Sequence, residues 1–321
     1  MDLTTLEKGL ALTLDATSLD FLGSKYQGKV RDNYTTRDGR RFIVVTDRIS
    51  AFDRVLGTLP FKGQVLNSLA AFWFEQTKDI VPNHMLGMPD PNVMECVECE
   101  PLKVEMIVRA YLTGVSSTSI LTAYRKGERV FCGNKLPDGL EEHGPLPKPI
   151  LTPTTKAPIG EHDENASREE ILERKLVTPE HFDAAADLAM ALFKRGSEFC
   201  AARGLILVDT KYEFGLTKDG RIVVIDEIHT PDSSRFWFSK SYEQRRSAGQ
   251  SPESFDKEYL RRWLTEQGFR GDGPIPNIPN EVRVESSRRY IEACEAIRGE
   301  PFAPNLEAPA ERLVKNLKSR V

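Results

Sequence analysis

Two rhythms of apolar residues run through this chain. Residues 205–215 and 221–228 are apolar runs with charged residues set into them, joined by Lys218-Asp219-Gly220-Arg221. Asp-Gly between two such runs is the strongest short hairpin signal, so they predict paired strands. Residues 28–34 and 41–46, joined through Arg37-Asp38-Gly39-Arg40, repeat the pattern, and residues 98–108 alternate into Arg109 as further strand. The clearest helix follows Thr178-Pro179, with a cap, a first-turn proline, an apolar stripe of Phe182, Ala186, Met190 and Phe193, and Gly204 just past its end. Further helices are predicted over residues 4–12, 65–76, 116–126 (capped by Ser116 or Ser117) and 282–298, around Phe255, Tyr259 and Trp263, and after the capping box Ser167-x-x-Glu170. Proline and glycine make residues 132–159 and 268–279 mainly loop. Hairpins dominate the first third and helices the last. This order predicts an α+β fold of two lobes, a mainly antiparallel β lobe over 1–103 and an α+β lobe over 104–321, rather than alternating βαβ units.

Bulk properties narrow the function. The 321 residues are 40% hydrophobic and 29% charged with a net charge of -4, so no overall basic field favours nucleic acid. No apolar run is long enough to span a bilayer, and the first residues lack a basic segment followed by an apolar one; a cytoplasmic chain without membrane partners is expected. Five scattered cysteines, Cys96, Cys99, Cys132, Cys200 and Cys294, fit free thiols, and the single Cys96-x-x-Cys99 has no second pair to complete a zinc site. Neither Gly-x-Gly-x-x-Gly nor Gly-x-x-x-x-Gly-Lys-Ser/Thr occurs.

The hairpin carries the chemistry. A two-residue turn at Asp219-Gly220 pairs Lys218 with Arg221 and sets Glu213 opposite Asp226; a three-residue loop would send Glu213 to the other face. Facing carboxylates ~4 Å apart repel by about 4 kcal/mol at an effective dielectric of 20. A divalent cation converts that cost into a site, and Mg²⁺ is typically held by one or two carboxylates plus substrate phosphates. Lys211 shares the strand face of Glu213. The turn that follows, with Asp232, Ser234 and Arg235, is suited to gripping a phosphate or carboxylate. Gly28-Lys29-x-Arg31 offers close backbone approach and two cations on one strand face. Arg109 ends a strand before Gly114 and the hydroxyl-rich helix start at Ser116 and Ser117, a natural anion site. The polar loop over 156–165 carries Lys156, His162 and Asp163.

These segments, in this order, resemble the SAICAR synthetases of purine biosynthesis. The matching stretches are Gly28-Lys29-Val30-Arg31-Asp32, Thr46-Asp47-Arg48-Ile49-Ser50-Ala51-Phe52-Asp53, Lys62-Gly63, Val108-Arg109 with Tyr111-Leu112-Thr113-Gly114, Thr154-Thr155-Lys156 with His162-Asp163-Glu164, 208–215, and Asp226-Glu227 through 231–237. The resemblance implies a two-lobed fold related to ATP-grasp enzymes, with ATP between the lobes. It implies ligation of L-aspartate to the carboxylate of 5-amino-1-(5-phospho-ribosyl)imidazole-4-carboxylate through an acyl phosphate. By the same resemblance Glu213 and Asp226 hold Mg²⁺, and Lys211 stabilises charge at the reacting carboxylate. Gly28, Lys29, Arg31 and the strand around Leu102 face ATP. Arg109, Ser116, Ser234 and Arg235 take the ribose phosphate, Asp209 and Asp232 orient the imidazole side or the metal shell, and Lys156, His162 and Asp163 line the aspartate or ribotide site. Val115 departs from the pattern, which places serine directly after the Thr-Gly turn. A kinase, a ligase with another amine donor, or a non-catalytic nucleotide binder remain alternatives on the residues alone.

Overall fold

The computed structural model describes residues 1–52, 54–114, 116, 118–156, 163–255 and 258–320. β1 (Ser24–Gln27), β2 (Arg31–Thr35) and β3 (Arg40–Val45) form a meander, β4 (Arg48–Ala51) and β5 (Arg54–Thr58) a separate hairpin, and β6 (Met85–Asp90) and β7 (Val93–Val97) complete a first sheet of order β1-β2-β3-β7-β6. The second sheet is built on β8 (Glu100–Tyr111). After the small hairpin of β9 (Val130–Phe131) and β10 (Asn134–Lys135), it gains β11 (Pro145–Leu151), β12 (Thr154–Thr155), β13 (Leu205–Leu216), β14 (Ile222–Ile225) and β15 (Ser234–Phe238). Its order is β11-β8-β13-β14, with β12 also on β8 and β15 also on β13. The class is α+β, as expected.

The helices are α1 (Leu3–Gly9), α2 (Lys62–Thr77), α3 (Ile120–Arg125), α4 (Arg168–Glu173), α5 (Pro179–Ala201), α6 (Ser239–Ser247), α7 (Glu258–Glu266), α8 (Asn280–Arg298) and α9 (Pro309–Leu317). Both sheets share one core. Trp73 and Phe74 of α2, Leu192 and Phe193 of α5, Met106, Tyr212, Phe236 and Ile291 of α8 all belong to it. The sheets also touch through backbone: Val224 N–H donates to Pro82 O (3.0 Å) and His84 N–H to Val224 O (3.2 Å). Among the described residues no helix is long and apolar enough to cross a membrane, and all five cysteines are free.

Three local expectations need correction. The helix expected from residue 116 starts at Ile120, because the Ser119 hydroxyl accepts from Thr122 N–H (3.2 Å) and caps it there. The proline-rich stretch after Cys132 contains β11, which tolerates three prolines because it is an edge strand paired only with β8. Most consequentially, the β13–β14 loop has three residues. Thr217 N–H donates to Arg221 O (2.9 Å), Gly220 takes φ 78°, and Glu213 faces Ile225 rather than Asp226. Asp219 locks this turn, accepting from the Thr217 hydroxyl and from Arg221 Nε (2.6 Å).

The core carries titratable groups that set acid stability. His84 and His229 are buried, and desolvation pushes each imidazole down to about 3. Each stays neutral while the unfolded chain gains a proton below its ordinary value of 6.5, so each removes stability as pH falls through that value. Asp47 acts oppositely. Burial raises its carboxyl to about 6, against hydrogen bonds from Leu14 and Gly63 N–H, so protonation below that pH restores stability. At about 1.4 kcal/mol per pH unit per group, the net of two histidines and one aspartate is a loss of about 3 kcal/mol between pH 7 and pH 5. Urea unfolding at the two values measures it. Equal stability at both would mean that the rings are protonated in the folded chain.

Candidate active site

β13 is the spine of the site. Asp209, Lys211 and Glu213 alternate along one face, opposite Arg109, Ile107 and Glu105 of β8. The facing carboxylates are therefore Glu105 and Glu213. Lys211 Nζ lies between them, 2.8 Å from Glu105 Oε1 and also bonded to Glu213 Oε1. Lys156 pairs with Glu213 Oε2, and the Thr154 hydroxyl donates to Glu105 Oε2 (3.1 Å). Burial alone raises the Glu213 carboxyl, but the ammonium groups of Lys211 and Lys156 outweigh it and hold the group well below the usual carboxylate range. Burial likewise lowers Lys211, and Glu213 and Glu105 more than reverse it, so its ammonium stays charged. At the far end Asp209 Oδ2 accepts from Arg109 Nη1 (3.3 Å) and Arg235 Nη1 (2.9 Å), while Arg109 Nε donates to the Thr152 hydroxyl (2.9 Å). Desolvation lowers the Arg109 pKa despite the nearby Asp209.

Two cavities flank this strand. The larger, about 640 Å³, is walled by Gly28, Lys29, Arg31, His84, Pro101, Lys156, Glu213 and Asp226. The smaller, about 200 Å³, is walled by Arg109, Asp209, Thr210, Asp232, Ser234, Arg235 and Arg261. Lys211 lines both. Glu213 and Asp226 share the larger cavity although the ladder does not pair them. β14 ends at Ile225, and Asp226 takes a left-handed backbone (φ 69°). Its carboxylate bonds to Arg31, whose other amino group lies 2.6 Å from Glu227 Oε1. Among the described residues no three His, Cys, Asp or Glu side chains are grouped to hold a metal ion. Two carboxylates in a cavity lined with cations fit a divalent ion that takes its remaining ligands from phosphates.

Of the residues singled out in the sequence, Gly28, Lys29, Arg31, Lys156, Glu213 and Asp226 come together in the larger cavity, and Arg109, Asp209, Asp232, Ser234 and Arg235 in the smaller. Leu102 does not join them. Strand alternation buries its side chain in the core and leaves Pro101 as the cavity wall. Ser116 is exposed and lies outside the smaller cavity's walls; the serine that reaches Gly114 is Ser119, because it caps α3. Asp163 is exposed and lines neither cavity, and His162 and Ser117 lie outside the described residues. Three residues had escaped notice as site residues. Glu105 is an acid set into the apolar half of β8, two positions from Ile107 and four from Arg109, and that period was its signal. Lys62, noted in the sequence only as part of the Lys62-Gly63 stretch, is fully buried against Asp232 (2.8 Å), and Arg261, which has no local sequence signal, reaches the smaller cavity from α7.

Comparison with known proteins gives this geometry a lineage. The family model described as SAICAR synthetase matches residues 24–274. The phosphoribosylaminoimidazole-succinocarboxamide synthase of Legionella pneumophila (strain Lens) is 48% identical over 290 residues, covering 90% of this chain and 92% of the relative. The synthase of that name from Bacteroides thetaiotaomicron is 48% identical over 310 residues, covering 95% and 97%. A solved SAICAR synthase from Saccharomyces cerevisiae, complexed with SAICAR, superposes with a TM-score of 0.78 at 31% identity, covering 91% of this chain and all of the yeast chain.

Proposed function

The chain belongs to the SAICAR synthetase family, and from that premise we propose how its two cavities divide the reaction. It is an ATP-dependent ligase of purine biosynthesis. It joins L-aspartate to the carboxylate of 5-amino-1-(5-phospho-ribosyl)imidazole-4-carboxylate and yields SAICAR, ADP and phosphate. The larger cavity, on the side of the N-terminal sheet, takes ATP, with Lys29 and Arg31 on the phosphates. The smaller takes the ribotide, with Arg109 and Arg235 on its phosphate. We assign the division at 103/104 to these two roles and a cytoplasmic setting to the enzyme, in keeping with its free cysteines.

The observation that carries this reading is Lys211, the cation common to both cavities. The ribotide carboxylate must meet the γ-phosphorus of ATP where the cavities join. Its oxygen attacks phosphorus, the bond to ADP breaks, and an acyl phosphate forms. The aspartate amine then attacks the acyl carbon, loses a proton and expels phosphate. Lys211 holds the carboxylate oxygens and offsets negative charge gathering at the junction. Lys156 and Glu105 keep Lys211 and Glu213 in place. Mg²⁺, when bound by Glu213 and Asp226, supplies charge neutralisation on the phosphates.

ADP release tests the reading. With Mg²⁺-ATP, release is expected only when ribotide and L-aspartate are both present, with succinocarboxamide formed in equal amount. ADP release with the ribotide and an amine other than aspartate, or with ATP alone, would assign the chain a different acceptor or a plain ATPase activity.

A further inference from the structure

The matched family region ends at residue 274, yet the helix beyond it, α8, bonds to Asp232 in the wall of the smaller cavity. α8 is fastened to the segment before α2. Arg283 Nε donates to Thr58 O (2.8 Å), its Nη2 donates to the Thr58 hydroxyl (2.9 Å), and the Ser287 hydroxyl donates to Pro60 O. That segment leads into Lys62, and Gly63 is required beside it because a Cβ there would lie 2.1 Å from Val45 O. Lys62 Nζ reaches Asp232 Oδ2 at 2.8 Å, and from α8 the Tyr290 hydroxyl donates to Asp232 Oδ1 at 2.6 Å. Each carboxylate oxygen thus has a fixed donor. α8 supports a second wall as well. Arg289 stacks on Tyr259 of α7, 4.6 Å from the ring centroid, and α7 carries Arg261 into the same cavity.

We propose that Tyr290 is a positioning residue for the ribotide, acting through Asp232, so that the segment beyond residue 274 completes the substrate site. The inference rests on the ligase reading above. The smaller cavity is lined by three arginines, which suit the phosphate and carboxylate of the ribotide. Asp232, with Asp209 one of the two carboxylates in its wall among the described residues, is the acceptor we assign to the ribotide's donors, the ribose hydroxyls and the ring amine; Asp209 already accepts from Arg109 and Arg235. A carboxylate free to rotate would present its lone pairs to those donors only part of the time, and Tyr290 removes that freedom.

Tyr290→Phe tests this, because it keeps the ring beside Lys62 (5.5 Å) and removes only the donor. Steady-state kinetics are expected to show KM for the ribotide raised about tenfold, with KM for ATP and for L-aspartate unchanged and kcat held within about twofold. Ser287→Ala is the control. It weakens the anchoring of the same helix without touching the cavity, and is expected to lower Tm while leaving all three KM values in place. An unchanged ribotide KM in Tyr290→Phe would overturn the inference, as would an equal rise in all three KM values or a rise confined to aspartate. Absence of ribotide-dependent turnover in the unmutated enzyme would overturn the ligase reading, and the inference with it.

Discussion

Asp226→Asn is expected to cut kcat with Mg²⁺-ATP by about 10³-fold or more, with little change in KM for the ribotide. The size follows from placement. On the proposed reading Asp226 and Glu213 are the carboxylates that would hold a divalent ion against the ATP phosphates, and the amide that replaces Asp226 has no charge to offer. The ribotide KM is spared because Asp226 does not line the smaller cavity. The fold is spared because asparagine is, after glycine, the residue that best tolerates the left-handed backbone at φ 69°. Arg31 keeps its ion pair with Glu227 when it loses Asp226. A thermal melt beside the kinetics separates the two effects: Tm close to the parent with turnover lost. Turnover within tenfold of the parent, at saturating Mg²⁺-ATP, would remove Asp226 from the reaction.

The same residue marks how far the sequence alone reaches. That Glu213 and Asp226 lie in one cavity was legible, because the two acids stand in adjoining apolar strands joined by an Asp-Gly turn. How they meet was not. The turn takes one residue more than the shortest hairpin, and a slip of one position reverses the face of every side chain. Asp226 recovers the shared cavity only by leaving strand geometry altogether, and the modest preference of aspartate for a positive φ is too weak to single out one position in a sequence. Lys62, Tyr290 and Arg261 illustrate the other limit. They converge from α2, α8 and α7, and only long-range packing brings helices so distant in sequence together. The capping box at Ser167 and Glu170 and the helix that starts at Pro179 were fully legible, because a cap, a first-turn proline and an apolar stripe act within a few residues of one another.

The corrected register also moves the electrostatic cost. The repulsion anticipated between Glu213 and Asp226 falls instead on Glu105 and Glu213, ladder partners with Lys211 Nζ between them. Lys211→Met is therefore expected to do two things at once. It abolishes turnover, since the cation that lines both cavities, alone among the described residues, is gone, and it destabilises the fold by about 3 kcal/mol, the lower end for breaking a buried pair because the cavities admit water. The two effects part company with pH. Without Lys211, one of the two carboxyls is raised above its ordinary value of about 4.5, so the folded variant binds a proton that the unfolded chain does not. Stability relative to the parent then recovers as pH falls through that raised value, while turnover does not return. The parent behaves in the opposite sense: Glu213 is held low there, and its contribution is lost only as pH falls below 4.5. Denaturant unfolding of parent and variant at pH 7.5 and pH 5 checks the sign. A stability deficit that widens on acidification would mean that Lys211 does not hold the two glutamates together, and its catalytic role would then have to stand on the cavities alone.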